Sequence, residues 1–326
     1  MTITVVGSIA FDGLEAPAGV RERIPGGAAF HFAQAASFYA DVRAVGPVGD
    51  DYTDEHIALL ATRGTNTDDV ERVAGGKTFF WKGKYHDDLN TRDTITTELN
   101  VFETFDPKLS QESKDAEVLF LANIVPGLQR AVRAQSSAKW VALDSMDLWI
   151  DIMRDDLVAA IGEVDCLILN DGELQQLTGA PTTYAAAKAI FAWDKAPSAI
   201  IAKLGSYGAT VFTNDGGGFT VPVFPLDTVI DPTGAGDTFA GGVVGYVAAR
   251  LEAEPDLVVD RDVLAAALIH GTATASHNVE AFGAEKLYEL PGSETEPEPG
   301  GVGHRLRQAS GTGGPSDDPS REIHDG

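Results

Sequence analysis

The chain has 326 residues, of which 44% are hydrophobic, so it can bury a sizeable core in one or two domains. Its 24 Lys and Arg residues against 49 Asp and Glu residues give a formal charge of −25. Such a surface repels nucleic acid and anionic lipid, so we expect neither nucleic acid nor a membrane as a partner. Simple solubility and adaptation to high salt both explain the charge, and both explanations stay open.

The cysteine content and the N-terminus indicate where the protein resides. Cys166, the sole cysteine, lies in the apolar run VDCLILN and offers neither a disulfide framework nor a zinc-binding pair, which favours a reducing compartment. The first residues, MTITVVGSIAFDG, have no basic segment and predict a strand rather than a signal peptide. No apolar run approaches the ~18 residues that span a membrane. We therefore expect a cytoplasmic protein.

Apolar runs typical of buried parallel strands alternate with stretches that carry apolar residues at helical spacing. The predicted strands are 2–8, 42–46, 117–123, 139–144, 164–170 and 198–205. The predicted helices lie in AAFHFAQAASFYA, DEHIALLATRG, DDLVAAIGEV and TYAAAKAIFAWD. This alternation predicts an α/β protein of three α/β/α layers around a mostly parallel sheet. Ligands of such sheets bind beyond the carboxyl ends of the strands.

Two segments depart from this alternation, residues 11–25 and residues 76–98. The second alternates with period two around a turn near Asp87, and the first is not helical. We expect the two segments to form a small antiparallel sheet beside the main body, which is either a surface hairpin or, in the functional interpretation, a lid. The apolar face of TFFWKGKY has to cover either a substrate or a second subunit. A closing flap on a monomer and a homodimer through the lid are therefore both open.

The composition changes from about residue 291. Glycine, proline, serine and charged residues replace the apolar periodicity in PGSETEPEPGG and in the sequence after it. The sequence therefore predicts one domain over residues 1–290 and a disordered acidic tail over residues 291–326.

The segment DPTGAGDTFAGG, residues 231–242, joins a predicted strand end at 227–230 to a predicted helix. Gly234, Ala235 and Gly236 then lie at the N-terminus of that helix. There the first N–H groups have no partner within the helix, and the macrodipole adds partial positive charge. Because glycine has no Cβ, a ligand can approach the backbone closely. The segment predicts an anion-binding loop suited to phosphate.

Asp237 follows this loop in the first helical turn. A carboxylate there would repel a bound phosphate, so its position makes sense if it takes a proton from an incoming hydroxyl while the loop holds the charge of the transferred group. This arrangement predicts phosphoryl transfer to an alcohol. An ordinary acidic residue at a helix N-terminus is the alternative interpretation.

Three other kinds of site are disfavoured by the sequence. The P-loop pattern GxxxxGK[ST] is absent. The dinucleotide pattern GxGxxG fails because Phe239 stands at its third glycine. Neither HExxH nor a cluster of His and Cys suggests a metal hydrolase.

Four motifs, in order, resemble those of the ribokinase-like PfkB carbohydrate kinase family. DPTGAGDTFAGG resembles the C-terminal signature DTxGAGDxFxxG, and PGGAAFHFAQAASFYADVRAVGPVGDD (25–51) resembles the N-terminal signature. LNDGELQQLTG (169–179) is similar to the N-x-x-E segment, and AKLGSYGATVF (202–212) to a later glycine turn. The match spans roughly residues 1–285. It implies a ribokinase-like fold with a small β lid and a kinase that uses ATP and Mg²⁺ to phosphorylate a sugar hydroxyl.

The resemblance also implies roles for individual residues around the acceptor. Asp237 would be the general base, and residues 234–236 would form the anion hole. Asp12 would accept hydrogen bonds from substrate hydroxyls, which suits a vicinal diol. Gly26 and Gly27 would let the following helix approach the sugar and would act as the hinge of the lid.

On the nucleotide side, the resemblance implies that Asn170 and Glu173 organise Mg²⁺ and the ATP phosphates, with Glu173 acting through water. The spacing of these two residues also fits a helix capping box, and from spacing alone that is the better interpretation. The backbone of Gly205 would approach the phosphates. Lys203, two residues earlier, stands where relatives often carry a small hydroxyl residue; it could reach a phosphate, the interpretation we favour, or cap the strand. Asp231 would help to hold a monovalent cation, K⁺, near the anion loop.

Asn278, with His277 before it, is expected to edge the adenine. His31 departs from the family pattern, because sugar-specific relatives commonly carry asparagine there, and a titratable ring gives a different pocket. Four aromatic residues could join His31 in an enclosure that suits the base of a nucleoside: Phe30, Phe79, Trp81 and Tyr85. Core or hairpin packing is the favoured interpretation for Phe30 and Phe79 taken separately.

The leading hypothesis is an ATP-dependent sugar kinase, with a nucleoside kinase of the same family as the alternative. A non-catalytic ligand-binding protein on the kinase scaffold is a hypothesis of another class. The presence of Asp237, Asn170 and Glu173 weighs against it, because such a protein has no need of a base. An NAD-dependent oxidoreductase is disfavoured by the missing glycine pattern.

Overall fold

The computed structural model of the chain describes residues 1–89, 91–290 and 305, and strands in these residues build two sheets. The predicted tail over residues 291–326 lies outside the described residues, apart from residue 305. The strands are Thr2–Val6 (β1), Ala10–Ala16 (β2), Gly19–Gly26 (β3), Asp41–Gly49 (β4), Val70–Val73 (β5), Phe79–Tyr85 (β6), Arg92–Glu98 (β7), Val118–Leu121 (β8), Trp140–Asp144 (β9), Cys166–Asn170 (β10), Ala199–Lys203 (β11), Ala209–Thr213 (β12) and Gly218–Val221 (β13).

The large sheet has nine strands in the order β13-β12-β11-β10-β9-β8-β1-β4-β5. All neighbours from β11 to β5 are parallel, and β12 and β13 add an antiparallel edge. The six predicted strands are confirmed as β1, β4, β8, β9, β10 and β11. Strands of this kind are covered on both faces, which explains why their sequences are nearly continuous apolar runs.

Helices cover both faces of the large sheet. They are Ala28–Ala36 (α1), Asp54–Leu60 (α2), Gln111–Lys114 (α3), Pro126–Arg133 (α4), Asp147–Ile152 (α5), Arg154–Ile161 (α6), Asp171–Thr178 (α7), Thr183–Phe191 (α8), Ala235–Ala253 (α9), Arg261–Asn278 (α10) and Glu285–Glu289 (α11). Successive side chains of a strand point to opposite faces. Val5 therefore packs with α1, α9 and α10, whereas Val6 packs with α4, α6, α7 and α8. The three-layer α/β/α fold is confirmed.

Small residues on α9 allow α1 and α10 to approach it closely. A Cβ atom added at Gly241 would lie 2.4 Å from the carbonyl oxygen of Phe32 in α1. A Cβ atom added at Gly242 would lie 2.9 Å from the Cα of Gly271 in α10. Only glycine fits these contacts, and they fix the N-terminus of α9 against the beginning of α1.

The smaller sheet is the lid, with strand order β3-β2-β6-β7. Its two hairpins, β2–β3 and β6–β7, are antiparallel, as the sequence predicts. They are joined by a parallel pair, β2 with β6, which the expectation of a purely antiparallel sheet did not include. Leu14, Tyr85 and Phe282 form a buried apolar cluster beneath the lid.

The prediction of a strand end at 227–230 is wrong. Within the described residues this segment joins no ladder. Ile230 instead donates its N–H to the carbonyl of Val279, just after α10, at 2.7 Å. The chain thus enters the anion loop along the end of α10. The N–H of Ile230, which a neighbouring strand would have bonded, is bonded by the end of this helix instead.

None of the helices in the described ranges has the length and apolar character needed to cross a bilayer.

Candidate active site

Polar residues end three neighbouring strands of the large sheet. Asp144 ends β9, Asn170 ends β10 and Lys203 ends β11, and the register places Asn170 directly beside Lys203. Because the carboxyl ends of parallel strands meet at one edge, the three side chains belong to one crevice. The anion loop at the start of α9 lies against this same edge.

The anion loop has the geometry expected of residues 234–236, with one difference. Gly234 is the N-cap of α9 with φ +72°, a left-handed conformation that favours glycine. The N–H of Ala235 already donates to the carbonyl of Pro232 at 3.1 Å. Among the described residues nothing accepts from the N–H groups of Gly236 and Asp237. Those two groups are therefore the ones available to an anion.

The side chain of Asp237 follows the anion loop in the first turn of α9 and is half-buried. Burial raises its pKa to about 6, and the nearby Asp144 carboxylate acts in the same direction, while Lys203 and His31 oppose both. A carboxylate with this pKa is ionised at neutral pH and is more basic than an ordinary aspartate. That combination suits a general base.

Lys203 extends from β11 to the anion loop. Its Nζ donates to Oδ2 of Asp144 at 2.7 Å, and it lies 3.4 Å from the point that a Cβ atom on Gly236 would occupy. Burial opposes the charged form, but the carboxylates of Asp144 and Glu173 prevail and raise the pKa of Lys203. The site therefore holds a charged lysine beside the anion loop.

Asp144 is a site residue that the sequence reasoning missed. Its side chain is 4% exposed, and its carboxylate is paired with Lys203 and influences Asp237. The signal was present, because Asp144 ends the predicted strand 139–144 as Asn170 ends the strand at 164–170. Two polar residues at strand ends that meet at one edge of the sheet would have suggested that Asp144 belongs to the site.

Asn170 and Glu173 form the capping box that their spacing predicts. Oδ1 of Asn170 accepts from the N–H of Glu173, and Oε2 of Glu173 accepts from the N–H of Asn170, both at 2.8 Å. This pair fixes the start of α7 at the edge of the crevice. Burial raises the pKa of Glu173 to about 7, with Lys203 opposing the shift.

On the other side of the anion loop, Asp12 of β2 lies directly over the diglycine. A Cβ atom on Gly26 would be 1.9 Å from Oδ2 of Asp12, and a Cβ atom on Gly27, at φ +94°, would be 2.5 Å from the carbonyl oxygen of Ser8. Only glycine fits at either position. The carboxylate of Asp12 is therefore held against the start of α1.

His31 lies between Asp12 and the anion loop. Its Nε2 is 3.8 Å from Oδ2 of Asp12, and a Cβ atom on Gly234 would be 2.3 Å from its Cγ. The ring is buried, yet within the described residues neither of its nitrogens makes a hydrogen bond. Burial lowers the pKa of His31, but the nearby carboxylate of Asp12, together with those of Asp237 and Asp231, outweighs it, so the pKa is raised overall.

The predicted aromatic enclosure is not formed as a group. Phe30 is fully buried and packs edge-on against Tyr288, and Phe79 packs against Phe102. Trp81 and Tyr85 belong to the apolar cluster of the lid. The core and hairpin packing that the sequence favoured for Phe30 and Phe79 is therefore what the structure has.

Tyr85 connects the lid to the anion loop. Its hydroxyl oxygen accepts from Oγ1 of Thr233 at 3.1 Å. Thr233 is another site residue that the sequence did not single out, because only the fold brings β6 to this loop.

A cavity of about 520 Å³ borders the anion loop. Its polar wall includes Lys203, Gly205 and Gly236, and its apolar wall includes Phe224 and Val279. The volume is that of a typical small-molecule site. The expected phosphate-side residues Lys203 and Gly205 are thus brought together with the anion loop.

The expectation that Asn278 edges the adenine is not borne out by its contacts. The side chain is fully buried, donates to the carbonyl of Thr233 at 2.8 Å and accepts from Oγ1 of Thr238 at 3.1 Å. His277 beside it is also fully buried. Asn278 instead links α10 to the anion loop, because both the nitrogen and the oxygen of its amide already make hydrogen bonds there.

Asp231 is fully buried at the start of the anion loop. Its carboxylate accepts from the N–H of Thr233 and from the N–H of Gly283, both at 2.9 Å. Burial is the largest influence on this group and raises its pKa. The carboxylate ties the loop to the segment that follows α10.

A half-buried carboxylate beside free N–H groups at a helix N-terminus, with a nucleotide-sized cavity next to it, is the arrangement of enzymes that transfer a phosphoryl group to a hydroxyl. The family model of the pfkB family carbohydrate kinases matches residues 5–289, and the chain belongs to this family. It is a phosphotransferase with a hydroxyl acceptor.

The individual proteins similar to this chain are distant from it in sequence. A cytidine kinase of Thermococcus kodakarensis is 28% identical over 260 residues, which are 77% of this chain and 90% of the relative. The structure of a Burkholderia thailandensis nucleoside kinase, in an ADP-inosine complex, has a TM-score of 0.73 at 18% identity and covers 95% of this chain and 96% of its own. A ribokinase from Giardia lamblia has a TM-score of 0.75 at 16% identity, covering 95% and 98%. The two structures support the ribokinase-like fold.

Replacing Gly234 by alanine is expected to disable the site. The new Cβ would strike the ring of His31, and φ +72° is itself costly for alanine, by roughly 1–3 kcal/mol. We expect a fall in kcat/KM of at least about tenfold beyond that of Gly216→Ala, measured by steady-state kinetics with far-UV circular dichroism to check folding. Gly216 is a matched control, because it has φ +90° but nothing within 4 Å of its added Cβ. Equal kinetics in the two variants would contradict the proposed steric role.

Proposed function

We propose that the chain transfers the γ-phosphate of ATP to a hydroxyl of a ribose-containing acceptor. The observation that carries the proposal is the position of Asp237, in the first turn of α9 beside the free N–H groups of the anion loop. The acceptor would lie on the side of Asp12 and His31, and ATP would occupy the 520 Å³ cavity on the other side. The anion loop separates the two and is where the phosphoryl group passes.

In this mechanism Asp237 accepts the proton of the acceptor hydroxyl as its oxygen attacks the γ-phosphorus, and the bond from that phosphorus to the ADP oxygen breaks. The N–H groups of Gly236 and Asp237 hold the negative charge on the transferred group. Lys203 adds a positive charge at the same place. All three act as fixed groups, so they need little reorganisation during the reaction.

Mg²⁺ would be bound with ATP, and the residues fit a water-mediated arrangement. No group of three or more His, Cys, Asp or Glu side chains in the described part of the chain could enclose a metal ion. Mg²⁺ commonly keeps several waters and is bound largely through substrate phosphates. Glu173 and Asn170 would orient those waters from the start of α7, and Mg²⁺ would supply charge neutralisation on the phosphates. For K⁺, we propose that Asp231 contributes to a site beside the anion loop.

Two acceptor classes fit the other side of the loop. Asp12 would accept hydrogen bonds from vicinal ribose hydroxyls, and a buried His31 without hydrogen-bond partners among the described residues would add a donor or an acceptor. We favour a nucleoside over a free sugar, because the similar curated protein is a cytidine kinase and one similar structure is a nucleoside kinase.

The remaining assignments are also proposals. We propose a cytoplasmic location, supported by the single buried cysteine. We propose neither nucleic acid nor a membrane as a partner, since the chain carries a charge of −25. A homodimer through the lid is supported by Val20 and Ile95, which are 52% and 49% exposed there.

Asp237→Asn is the direct test of the base. We expect kcat to fall by roughly 10²-fold or more while ADP binding is retained, because the amide keeps the shape but cannot take the proton. Stopped assays of ADP release and calorimetry with ADP measure the two quantities. Asp262→Asn is the matched control, an acid in the first turn of α10 that is 76% exposed. A turnover in the Asp237 variant equal to that of the control would reject Asp237 as the base. Absence of turnover in the wild type itself would leave a non-catalytic binding protein.

The pH dependence follows from the raised pKa of about 6 for Asp237. Below that pH the carboxyl is protonated and cannot act as a base, so kcat/KM should fall about tenfold per pH unit on the acid side. A pH series with Glu173→Gln provides the comparison, because Glu173 has a pKa of about 7 in the same crevice. The acid limb should persist in that variant. Its disappearance would assign the limb to Glu173 instead.

The acceptor class can be tested with a kinetic panel of nucleosides, ribose and other sugars. We expect nucleosides to give a higher kcat/KM than ribose, since a base adds contacts beyond the shared ribose ring. His31→Asn should shift this preference toward the free sugar, because asparagine is what sugar-specific relatives commonly carry. Failure of both classes to stimulate ADP release would reject the ribose-containing acceptor.

A further inference from the structure

Arg305 lies against the wall of the cavity although it lies well after α11 in the sequence. Its side chain is only 11% exposed. One guanidinium nitrogen, Nη1, donates to Oγ of Ser276 at 2.5 Å, and Nη2 donates to the carboxylate of Glu280. The guanidinium carbon lies 5.0 Å from the centre of the Phe224 ring. One side chain thus joins three groups on two different segments.

Two of these three groups line the cavity, namely Ser276 and Phe224. Ser276 is rigid, because its hydroxyl donates to the carbonyl of Ala273 at 2.6 Å and is left as an acceptor for the arginine. Phe224 is different, since its segment, residues 222–229, belongs to no helix or strand. Arg305 therefore connects an irregular segment of the cavity wall to a fixed helix.

The chemistry of the contact explains why an arginine is used. A planar guanidinium can stack on an aromatic ring and at the same time donate two hydrogen bonds in its plane. Glu280 compensates the charge, so the cation is not left unpaired in a largely buried place. None of the residues on the acceptor side, Asp12 and His31 among them, takes part in these contacts.

We propose that Arg305 is a positioning residue for the donor nucleotide, which it serves by holding Phe224 against α10 as a wall for the base. This inference rests on the proposed function, because it takes the cavity to be the ATP site. Arg305 acts through Phe224 and Ser276 and touches no reacting atom. Its loss should therefore weaken nucleotide binding and leave the acceptor side and the chemical step unchanged.

The test is Arg305→Ala in the full chain. We expect the KM for ATP and the Kd for ADP to rise roughly three- to tenfold, the effect of losing one stacked cation and its hydrogen bonds. The acceptor KM and kcat should stay within about twofold of the wild type. Arg261→Ala is the matched control, an arginine that pairs with its neighbour Asp262 and is 49% exposed. It should leave all four quantities unchanged.

Two further variants separate positioning from simple structural support. Arg305→Lys keeps the charge but loses the planar fork, so it should restore the ATP KM only partly. Phe224→Ala should raise the ATP KM by about the same factor as Arg305→Ala. The double variant that combines Arg305→Ala with Phe224→Ala should be little worse than either single variant, because both substitutions act through the same contact. Additive effects would overturn the proposed route through Phe224.

The outcomes also distinguish this inference from the proposed function. If the wild type binds ADP and the Arg305→Ala variant binds it equally well, the inference is wrong and the ATP assignment stands. If kcat and both KM values change together, Arg305 is a general structural contact and the inference is wrong. If the wild type neither binds ADP nor consumes ATP, the cavity is not the nucleotide site and both proposals fail.

Discussion

The contact between the ring of His31 and the backbone of Gly234 is the constraint on which the site depends. It exists because position 234 has no Cβ, and it brings the start of α1 against the start of α9. The packing of Gly241 on α1 repeats this approach two turns further along α9. The starts of α1 and α9 therefore meet at this contact, and Asp237 lies in the first turn of α9.

A second constraint is electrostatic, because a chain with a charge of −25 has to attract an anionic nucleotide to one place. Asp144, Glu173 and Asp237 all lie near the phosphate side, and alone they would repel it. Lys203 is held among them by Asp144, and the N–H groups of the anion loop add positive potential at short range. The carboxylate of Asp144 both keeps Lys203 charged and makes Asp237 more basic, so in the proposed function donor binding and base strength would share this origin.

The sequence predicted features that depend on local periodicity or on a single loop. The six parallel strands, the glycine at the N-cap of α9 and the capping box of Asn170 and Glu173 are of this kind. Prediction from the sequence failed where the fold decides which distant residues come into contact. The amide of Asn278 is taken by Thr233 and Thr238, the segment 227–230 pairs with the end of α10, and Asp144 gains its importance only from Lys203, which is distant in sequence.

The segment after α10 links the lid to the anion loop by two routes. The N–H of Gly283 donates to Asp231 in the loop, and Phe282 beside it packs with Leu14 and Tyr85 under the lid. Tyr85 in turn accepts from Thr233 of the loop. A lid that moves must therefore alter contacts of the anion loop itself. Because that loop positions Asp237, the proposed function would make closure over an acceptor and assembly of the catalytic group one event, which would disfavour transfer to water before the acceptor is in place.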